Sequence, residues 1–242
     1  MFSKYVDNGL DLNKDKHCDI EGWFVDKDGH HKPILRDRGM AKFDKAFKNR
    51  YDLLEIIDSF DAKSKLGDTE INSLHTYSLN EEDNYLSSPN VNKYLRENNR
   101  YDSRINERIK QIDFIINSYT LKKDINVFRG ISIKNGEKYI KDFMSLKPGN
   151  WFYDSGFTST SYSEDKAIEY GMLNSNNFIF FDITLRKGTH CVPLFKDDNT
   201  SNKEEFEILL GRKQKFTVKR VETLKASDSS YIHYIKVESR RC

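Results

Sequence analysis

The hydrophobic pattern of the chain changes near Lys123, and this change limits the folds that the sequence can form. Before that point apolar residues recur at helical spacing, most clearly in the stripe Ile105, Ile109, Ile112, Ile116 and Tyr119. After it, short apolar runs are bounded by turn residues, as is typical of strands. Helices that precede a set of antiparallel strands predict an α+β fold.

The first 65 residues are predicted to form an N-terminal extension. Residues 22–35 resemble a small hairpin around an Asp28-Gly29 turn, and residues 40–60 have the apolar spacing of an amphipathic helix. A polar stretch follows, and we predict that residues 66–242 form the main domain.

The second half of the chain predicts a series of strands and two short helices. The expected strands are INVFRGI, NWFYDSGFTSTS, FIFFDITL, CVPLF, EEFEILL, KFTVKRVETL and YIHYIKVE, the last two paired across the turn ASDSS. One helix is expected around GEKYIKDF. Another is expected over SEDKAIEYG, where Ser163 would cap the first turn and Gly171 would end the helix.

Composition excludes several classes of protein. With 40 basic and 38 acidic residues, the near-neutral chain does not predict strong binding to a nucleic-acid backbone. The three cysteines are widely spaced, which favours a reducing compartment over a disulfide framework. The N-terminus lacks the apolar core of a secretory signal, and no apolar run has the length of a membrane span. We therefore expect a cytoplasmic location, in the producing cell or in a target cell, without a membrane partner.

A metal site is not expected. His17, Cys18, His30 and His31 are the most suggestive group, but their spacing matches no common zinc-ligand pattern. Ordinary surface histidines explain them better.

Three features of the second half suggest chemistry. Arg129 lies at the end of a predicted strand, and an unbroken run of hydroxyl residues spans Thr158 to Ser161. Glu205 and Glu207 are two residues apart, so on a strand both carboxylates would face the same side. Taken singly, each feature also has an ordinary structural interpretation: a surface arginine, an edge strand and an acidic strand edge exposed to solvent.

Taken together and in this order, the motifs resemble the mono-ADP-ribosyltransferases of the Arg-Ser-Glu class, the clostridial and cholera-toxin-like group that also has phage members. The motifs are NVFRG, GFTSTS and EEFEILL, with the strand, turn and strand FIFFDITLRKGTHCVPL between the last two. Upstream, the segment LHTYSLNEEDNYLSSPNVNKYLRE resembles the helical approach of these enzymes, with Tyr77 and Asn92 at its recognisable points. The resemblance covers roughly residues 70–240.

The resemblance implies a fold and an activity. The fold would be the ADP-ribosyltransferase fold, with a helical N-terminal part packed on a core of two mostly antiparallel sheets. The activity would be that of a bacterial or phage toxin, transferring ADP-ribose from NAD to a protein and releasing nicotinamide. NAD would be a substrate, and no metal would be needed.

The resemblance also implies which residues contact NAD. Arg129 would hold phosphate and the neighbouring ribose, a task that suits a permanently charged planar fork. Gly130 and Tyr77 would belong to the same binding site. Thr160 and Ser161 would brace their strand against the bound dinucleotide.

The catalytic group would consist of Glu207, Glu205, Ser159 and Arg129. Cleavage of the nicotinamide glycosidic bond leaves an oxocarbenium-like centre, which a nearby anion stabilises. In the family the second glutamate of the motif, here Glu207, supplies that anion, and Ser159 would orient it. A glutamate at the position of Glu205 goes with arginine acceptors, so an arginine side chain is the expected target.

Other acceptors and other roles stay open at this point. The same site would serve ADP-ribosylation of RNA or DNA, or simple hydrolysis of NAD. A non-catalytic interaction module with the same fold, or a structural protein with coincidental motifs, is less consistent with three intact motifs in order. Residues 1–65 would dock a target, an antitoxin or a delivery partner.

Overall fold

The computed structural model describes residues 24–25, 31–32, 60–62, 67–79, 84–97, 102–133, 138–173, 177–194, 206–225 and 231–240. Only the backbone is described for residues 24–25, 31–32, 60–62, 138–140 and 225. The helices are α1 (Asp68–Ser78), α2 (Ser88–Glu97), α3 (Ser103–Asn117), α4 (Lys138–Met144) and α5 (Glu164–Met172). The strands are β1 (Phe24–Val25), β2 (His31–Lys32), β3 (Phe60–Ala62), β4 (Tyr119–Leu121), β5 (Ile125–Ser132), β6 (Trp151–Tyr153), β7 (Thr158–Ser161), β8 (Phe178–Leu185), β9 (Cys191–Pro193), β10 (Glu207–Leu210), β11 (Lys215–Lys225) and β12 (Tyr231–Ser239). Helices before strands confirm the α+β prediction.

One mixed sheet organises the chain. Its strand order is β2-β1-β11-β12-β8-β5-β7-β10-β9, and β6 pairs with β11 beside that path. All pairs are antiparallel except β8 with β12, which run parallel. A separate two-stranded sheet joins β3 to β4.

The expected division into two antiparallel sheets is not confirmed, because hydrogen bonding continues from one half to the other. The junction is narrow: β5 and β7 share the single register pair Phe128 and Ser161. On one side of it β5 pairs with β8 along eight residues, and on the other β7 pairs with β10 along four. The three sequence motifs lie on the strands around this junction.

Helix α3 matches the predicted apolar stripe. Ile109, Ile112 and Ile116 are buried in the core, and Asp102 caps the helix by accepting hydrogen bonds from the Arg104 and Ile105 amides at 2.9 and 3.1 Å. The predicted helical stripe wrongly includes Tyr119, which belongs to β4 and not to α3. Helical spacing continues across the boundary by coincidence, since Tyr119 packs into the same core from a strand.

Helix α5 packs onto β5 through two glycines. A Cβ at Gly130 would lie 1.8 Å from the Ala167 carbonyl oxygen, and one at Gly171 would lie 2.4 Å from the Phe178 ring. Ser163 caps the helix as predicted, accepting from the Lys166 amide at 3.3 Å. Gly171 does not end the helix as predicted. It is selected by close packing against β8.

Strand β8 is the centre of the sheet. The predicted face of Ile179, Phe181, Ile183 and Leu185 is buried, and the other face is buried too except for Thr184. Both neighbours, β5 and β12, pair along most of its length, which explains the nearly continuous apolar sequence. The predicted pairing of β11 with β12 is confirmed, with a register shift between Val218 and Arg220.

In the N-terminal extension, β1 and β2 form an antiparallel pair where the sequence predicts a hairpin. Strand β1 also pairs with β11 and so joins the main sheet. The predicted helix over residues 40–60 lies outside the described residues, as do His17, Cys18 and His30. The division between residues 65 and 66 stays a prediction. Within the described part of the chain, no helix is long and apolar enough to cross a membrane.

Candidate active site

Three adjacent strands carry the sequence motifs. Arg129 lies on β5, the hydroxyl run forms β7, and Glu207 begins β10. The Arg129 guanidinium donates a hydrogen bond from Nη1 to the Ser159 carbonyl oxygen at 3.3 Å. Glu207 lies directly opposite Ser161 in the antiparallel register. The fold thus brings arginine, hydroxyls and carboxylate to one place from positions up to 78 residues apart in sequence.

The hydroxyls of β7 have different partners. Thr160 Oγ1 donates to the Ile208 carbonyl oxygen at 2.7 Å, which fastens β7 to β10. Ser161 Oγ accepts from the Ser163 amide at 3.0 Å and so fixes the turn into α5. Ser159 is half-exposed, and its hydroxyl makes no hydrogen bond within the described residues. It is therefore the hydroxyl of the run that is best placed to meet a ligand.

The glutamate motif departs from the predicted strand. Strand β10 begins only at Glu207, and Phe206 has a φ of 47°, which a bulky side chain rarely adopts. The Phe206 carbonyl oxygen accepts from the Tyr162 amide at 3.0 Å and holds this bend next to β7. Strand alternation therefore does not continue from Glu207 back through Phe206, and the predicted common face of Glu205 and Glu207 stays a prediction. Glu205 lies outside the described residues.

An ion-pair cluster, not anticipated from the sequence, lies beside Arg129. Asp154 accepts two hydrogen bonds from Arg96, from Nε at 2.9 Å and from Nη2 at 2.7 Å. The same carboxylate lies 3.9 Å from Arg129 Nη2 and accepts the Gly156 amide at 2.9 Å. One carboxylate thus holds two guanidiniums, one from helix α2 and one from strand β5.

The environment of Asp154 favours its charged form. Burial alone would raise the pKa of this carboxyl, but the Arg96 hydrogen bonds, the charges of Arg129 and Arg96 and the Gly156 amide together hold the pKa below its usual value. The side chain is only 13% exposed. The two arginines therefore face a carboxylate that stays ionised throughout the physiological range.

Tyr77 and Asn92 support the site from the interior. Asn92 Nδ2 donates to the Tyr77 hydroxyl at 3.0 Å, and Asn92 Oδ1 accepts from the Phe157 amide at 2.8 Å. The Tyr77 ring meets the Phe157 ring edge-on, with centroids 5.6 Å apart. Burial, followed by the nearby charge of Glu207, raises the pKa of Tyr77.

Two residues that the sequence assigned to NAD binding are closely packed in this structure. Tyr77 has no exposed surface, so no ligand reaches it in this conformation. The side of Gly130 from which a side chain would project is closed by helix α5. Both residues shape the site by packing. Tyr77 packs against Phe157, just before β7, and Gly130 lies where β5 contacts helix α5.

An open cleft of about 1070 Å³ borders the ion-pair cluster. Its lining includes Arg96 and Asp154 together with the aromatic residues Trp151, Phe152 and Tyr153. No group of His, Cys, Asp or Glu side chains able to hold a metal ion occurs among the described residues. Arg96 supplies one guanidinium to the lining of this cleft.

Sequence reasoning missed Arg96 and Asp154. A signal for Arg96 was present, because it lies four residues after Asn92 and so on the same face of helix α2. Asp154 had no such signal: its partners lie 58 and 25 residues away and are brought together only by the fold.

Comparisons with known proteins agree with this geometry. The family model of the ADP-ribosyltransferase exoenzymes matches residues 57–239, more than half of the chain. A comparison with curated protein sequences gives no significant match.

Solved structures of bacterial toxins share the fold. Plx2a, an ADP-ribosyltransferase toxin from Paenibacillus larvae, has a TM-score of 0.59 at 16% identity, covering 83% of this chain and 96% of its own. The ADP-ribosyltransferase Vis, in complex with agmatine, has a TM-score of 0.55 at 19% identity, covering 75% and 79%. Exoenzyme S from Pseudomonas aeruginosa, in complex with human 14-3-3 protein beta and bound to carba-NAD, has a TM-score of 0.52 at 16% identity, covering 70% and 74%. These similarities confirm the predicted fold.

Proposed function

The chain belongs to the ADP-ribosyltransferase exoenzyme family, and we propose that it transfers ADP-ribose from NAD to an arginine side chain of a protein. The enzyme class follows from the family: the protein is an NAD-dependent mono-ADP-ribosyltransferase. The chemical nature of the acceptor and the role of each residue are the proposed parts.

One observation carries the proposal. Arg129, the β7 hydroxyl strand and Glu207 lie on three neighbouring strands, with Arg129 bonded to the Ser159 carbonyl and Glu207 opposite Ser161. Cleavage of the nicotinamide glycosidic bond requires a cationic clamp for the diphosphate and an anion beside the ribose carbon. The neighbouring strands β5, β7 and β10 carry candidates for both.

The clamp consists of Arg129 with Arg96. Asp154 anchors both guanidiniums and so fixes the orientation of their remaining N–H groups. Planar guanidiniums bind phosphate oxygens through paired hydrogen bonds, and anchoring lowers the entropy lost on binding. We assign the diphosphate of NAD to these two residues.

Glu207 stabilises the charge that develops on the ribose. As the bond from C1′ to nicotinamide breaks, its electron pair leaves with nicotinamide and positive charge builds on the ribose. A fixed carboxylate beside that carbon lowers the barrier. The new bond forms between C1′ and a guanidino nitrogen of the acceptor, and Glu205 takes the proton that this nitrogen loses.

The arginine acceptor has two supports. A guanidinium is a poor nucleophile while fully protonated, so a carboxylate near the attacking nitrogen is required, and Glu205 precedes Glu207 by two residues. Among proteins of this fold, Vis binds agmatine, a small guanidinium compound. Exoenzyme S forms a complex with a protein, 14-3-3 beta. A protein side chain bearing a guanidinium is the acceptor that fits both.

The test uses NAD labelled in its adenylate half with agmatine as the acceptor. Nicotinamide release and ADP-ribosyl-agmatine are measured separately, by chromatography and by mass spectrometry. Wild-type protein is expected to form both products. Glu205→Gln is expected to retain most of the nicotinamide release while losing the agmatine product, because it removes only the acceptor base. Glu107→Gln, on an exposed face of α3, is the matched control.

Three results would contradict the proposal. Free ADP-ribose without ADP-ribosyl-agmatine would indicate a glycohydrolase. Label from a cell lysate that resists protease and yields to nuclease would indicate a nucleic-acid acceptor. Equal loss of both products in Glu205→Gln would remove the argument for arginine.

A further inference from the structure

An exposed aromatic pair lines part of the cleft that borders the ion-pair cluster. Trp151 is 52% exposed and Tyr153 is 47% exposed, and their rings stack with centroids 6.4 Å apart. Both belong to β6, which within the described residues pairs with β11 alone and so forms an edge of the sheet. A tryptophan side chain that is this exposed does not gain much of the hydrophobic free energy that burial would provide. Trp and Tyr are also the side chains most enriched at the centres of protein interfaces.

Basic side chains surround this pair. Lys215 Nζ lies 5.7 Å and Arg240 Cζ 5.9 Å from the centre of the Trp151 ring, close enough for cation–π attraction. Arg240 is held there by its bond from Nε to Thr217 Oγ1 at 3.0 Å. Trp151, Tyr153, Lys215 and Arg240 are called the aromatic-basic patch below.

The patch lacks compensating negative charge. Residues 144–153, 211–217 and 239–240 contain five basic residues and no Asp or Glu. Of the five, Arg212 pairs with Asp113, whereas Lys215 and Arg240 have no carboxylate partner within the described part of the chain. The surface therefore offers uncompensated cations beside large apolar rings.

The patch is continuous with the site. Trp151, Phe152 and Tyr153 line the same cleft as Arg96 and Asp154. A molecule seated on the patch therefore lies beside the proposed phosphate clamp. The backbone amide of Lys213, in the turn before β11, also donates to the Asp154 carbonyl oxygen at 2.8 Å, which ties this turn to the ion-pair cluster.

We propose that the aromatic-basic patch binds the protein acceptor through an acidic segment that carries an apolar side chain. This inference rests on the proposed function, since it concerns the same transfer reaction. Carboxylates of the acceptor meet Lys215 and Arg240, and its apolar side chain covers Trp151 and Tyr153. Attraction over this surface raises the affinity for protein acceptors and leaves the chemistry at Glu207 unchanged.

The test compares two synthetic peptides with agmatine. Both peptides contain the same single arginine; one has a tract of Glu with one Leu, and in the other Gln replaces Glu. Wild-type protein is expected to show a KM about fivefold to tenfold lower for the acidic peptide, the effect of two or three exposed ion pairs. In Lys215→Glu/Arg240→Glu the advantage is expected to vanish, while the kcat/KM for agmatine stays unchanged. Raising the salt to 0.5 M is expected to reduce the wild-type advantage in the same way.

A matched variant controls for net charge. Lys110→Glu/Lys122→Glu makes the same charge change at two exposed positions outside the patch and is expected to retain the preference for the acidic peptide. Equal KM values for the two peptides with wild-type protein would overturn the proposal. So would an advantage that survives in Lys215→Glu/Arg240→Glu, or one that is lost equally in the control.

Binding is also measured without turnover, so that a failure of the arginine-acceptor proposal can be distinguished from a failure of the aromatic-basic patch to bind the peptide. The chain has two tryptophans, so in Trp23→Phe protein the intrinsic fluorescence reports on Trp151 alone. The acidic peptide is expected to shift this fluorescence at concentrations that leave the Gln peptide without effect, even if agmatine is not modified. Quenching by single-stranded oligothymidylate alone would overturn the proposal in favour of a nucleic-acid surface. Concentration-dependent dimerisation that masks Trp151 would overturn it in favour of self-association.

Discussion

Glu207 lies directly opposite Ser161 in the pairing of β7 with β10, whereas Ser159 lies opposite Leu209. Directly opposite residues have their Cβ atoms about 4.5–5.5 Å apart, and diagonal neighbours about 7–8 Å. Ser159 therefore reaches Glu207 only along the diagonal, by way of the long glutamate side chain. Ser161 is nearer, but its hydroxyl already accepts from the Ser163 amide. The two serines consequently have separable roles.

The first prediction separates these roles by mutation. Ser161→Ala is expected to lower the free energy of unfolding by about 1 kcal/mol, because the Ser163 amide loses its buried acceptor. Ser159→Ala is expected to leave that free energy unchanged, because the Ser159 hydroxyl makes no hydrogen bond within the described residues. It is expected to lower kcat about tenfold, because we propose that this hydroxyl orients Glu207 when NAD is bound. Urea denaturation and nicotinamide release measure the two effects. Full activity in Ser159→Ala would remove its orienting role.

A second prediction concerns Glu207 itself. Glu207→Gln keeps the shape of the side chain and removes the charge that stabilises the developing cation. We expect kcat for nicotinamide release to fall by about 10²–10³-fold, the usual effect of losing one group that stabilises transition-state charge. The midpoint of thermal unfolding should stay within about 2 °C of wild type, because β10 is held by Ile208, Leu209 and Leu210 in the core. Substantial activity in this variant would contradict the assignment.

The third prediction is that Asp154 positions the clamp. Asp154→Asn retains the acceptor for the Gly156 amide and loses the charge that holds Arg96 and Arg129. We expect the KM for NAD to rise about tenfold with a smaller change in kcat, because binding of the diphosphate suffers more than bond cleavage. Asp113→Asn is the matched control: Asp113 accepts two bonds from Arg212, at 3.1 and 2.9 Å, on the surface of α3. A rise in KM of similar size in the control would contradict the positioning role.

The same ion pair predicts a pH dependence of stability. The pKa of Asp154 is lowered in the folded state, so the unfolded state binds its proton first as the pH falls. The contribution is fully present above the ordinary aspartate pKa of about 4 and is lost as the pH falls through the lower folded value. The difference in unfolding free energy between wild type and Asp154→Asn, about 2 kcal/mol at pH 7, should therefore shrink towards pH 3. A difference that is equal at both pH values would show that the charge does not contribute.

Whether a structural feature can be predicted from the sequence depends on how far apart in the chain its interacting residues lie. The helical stripe of α3, the Ser163 cap and the pairing of β11 with β12 depend on neighbouring residues, and all three were predictable. The order of the three motifs also placed Arg129, β7 and Glu207 together through a resemblance. The bend at Phe206 was not predictable, because its positive φ is held by a hydrogen bond from the amide of Tyr162, which follows β7 and is distant in sequence.

The polar network of the site shows the same limit. Arg96 and Asp154 come from a helix and a loop 58 residues apart, and each residue alone resembles an ordinary surface charge. The burial of Tyr77 likewise depends on Asn92 and Phe157, which arrive from α2 and from the approach to β7. Local propensity contains no information about such pairs.

The fifth prediction distinguishes support by Tyr77 from direct contact with NAD. The Tyr77 hydroxyl is buried and accepts from Asn92 Nδ2, so Tyr77→Phe leaves that donor unsatisfied. We expect the free energy of unfolding to fall by about 1–2 kcal/mol while the KM for NAD stays unchanged. Asn92→Ala should cost more, about 2–4 kcal/mol, because both the tyrosine hydroxyl and the Phe157 amide lose their partner.

A double-mutant cycle of Tyr77→Phe with Asn92→Ala, followed by urea denaturation, measures the coupling of the pair. Because the two side chains share one hydrogen bond, the combined loss should be smaller than the sum of the single losses. If Tyr77→Phe instead raises the KM for NAD tenfold without loss of stability, the ring must become accessible when NAD binds. The NAD contact implied by the family resemblance would then stand, and the closed conformation of Tyr77 would belong to the ligand-free enzyme alone.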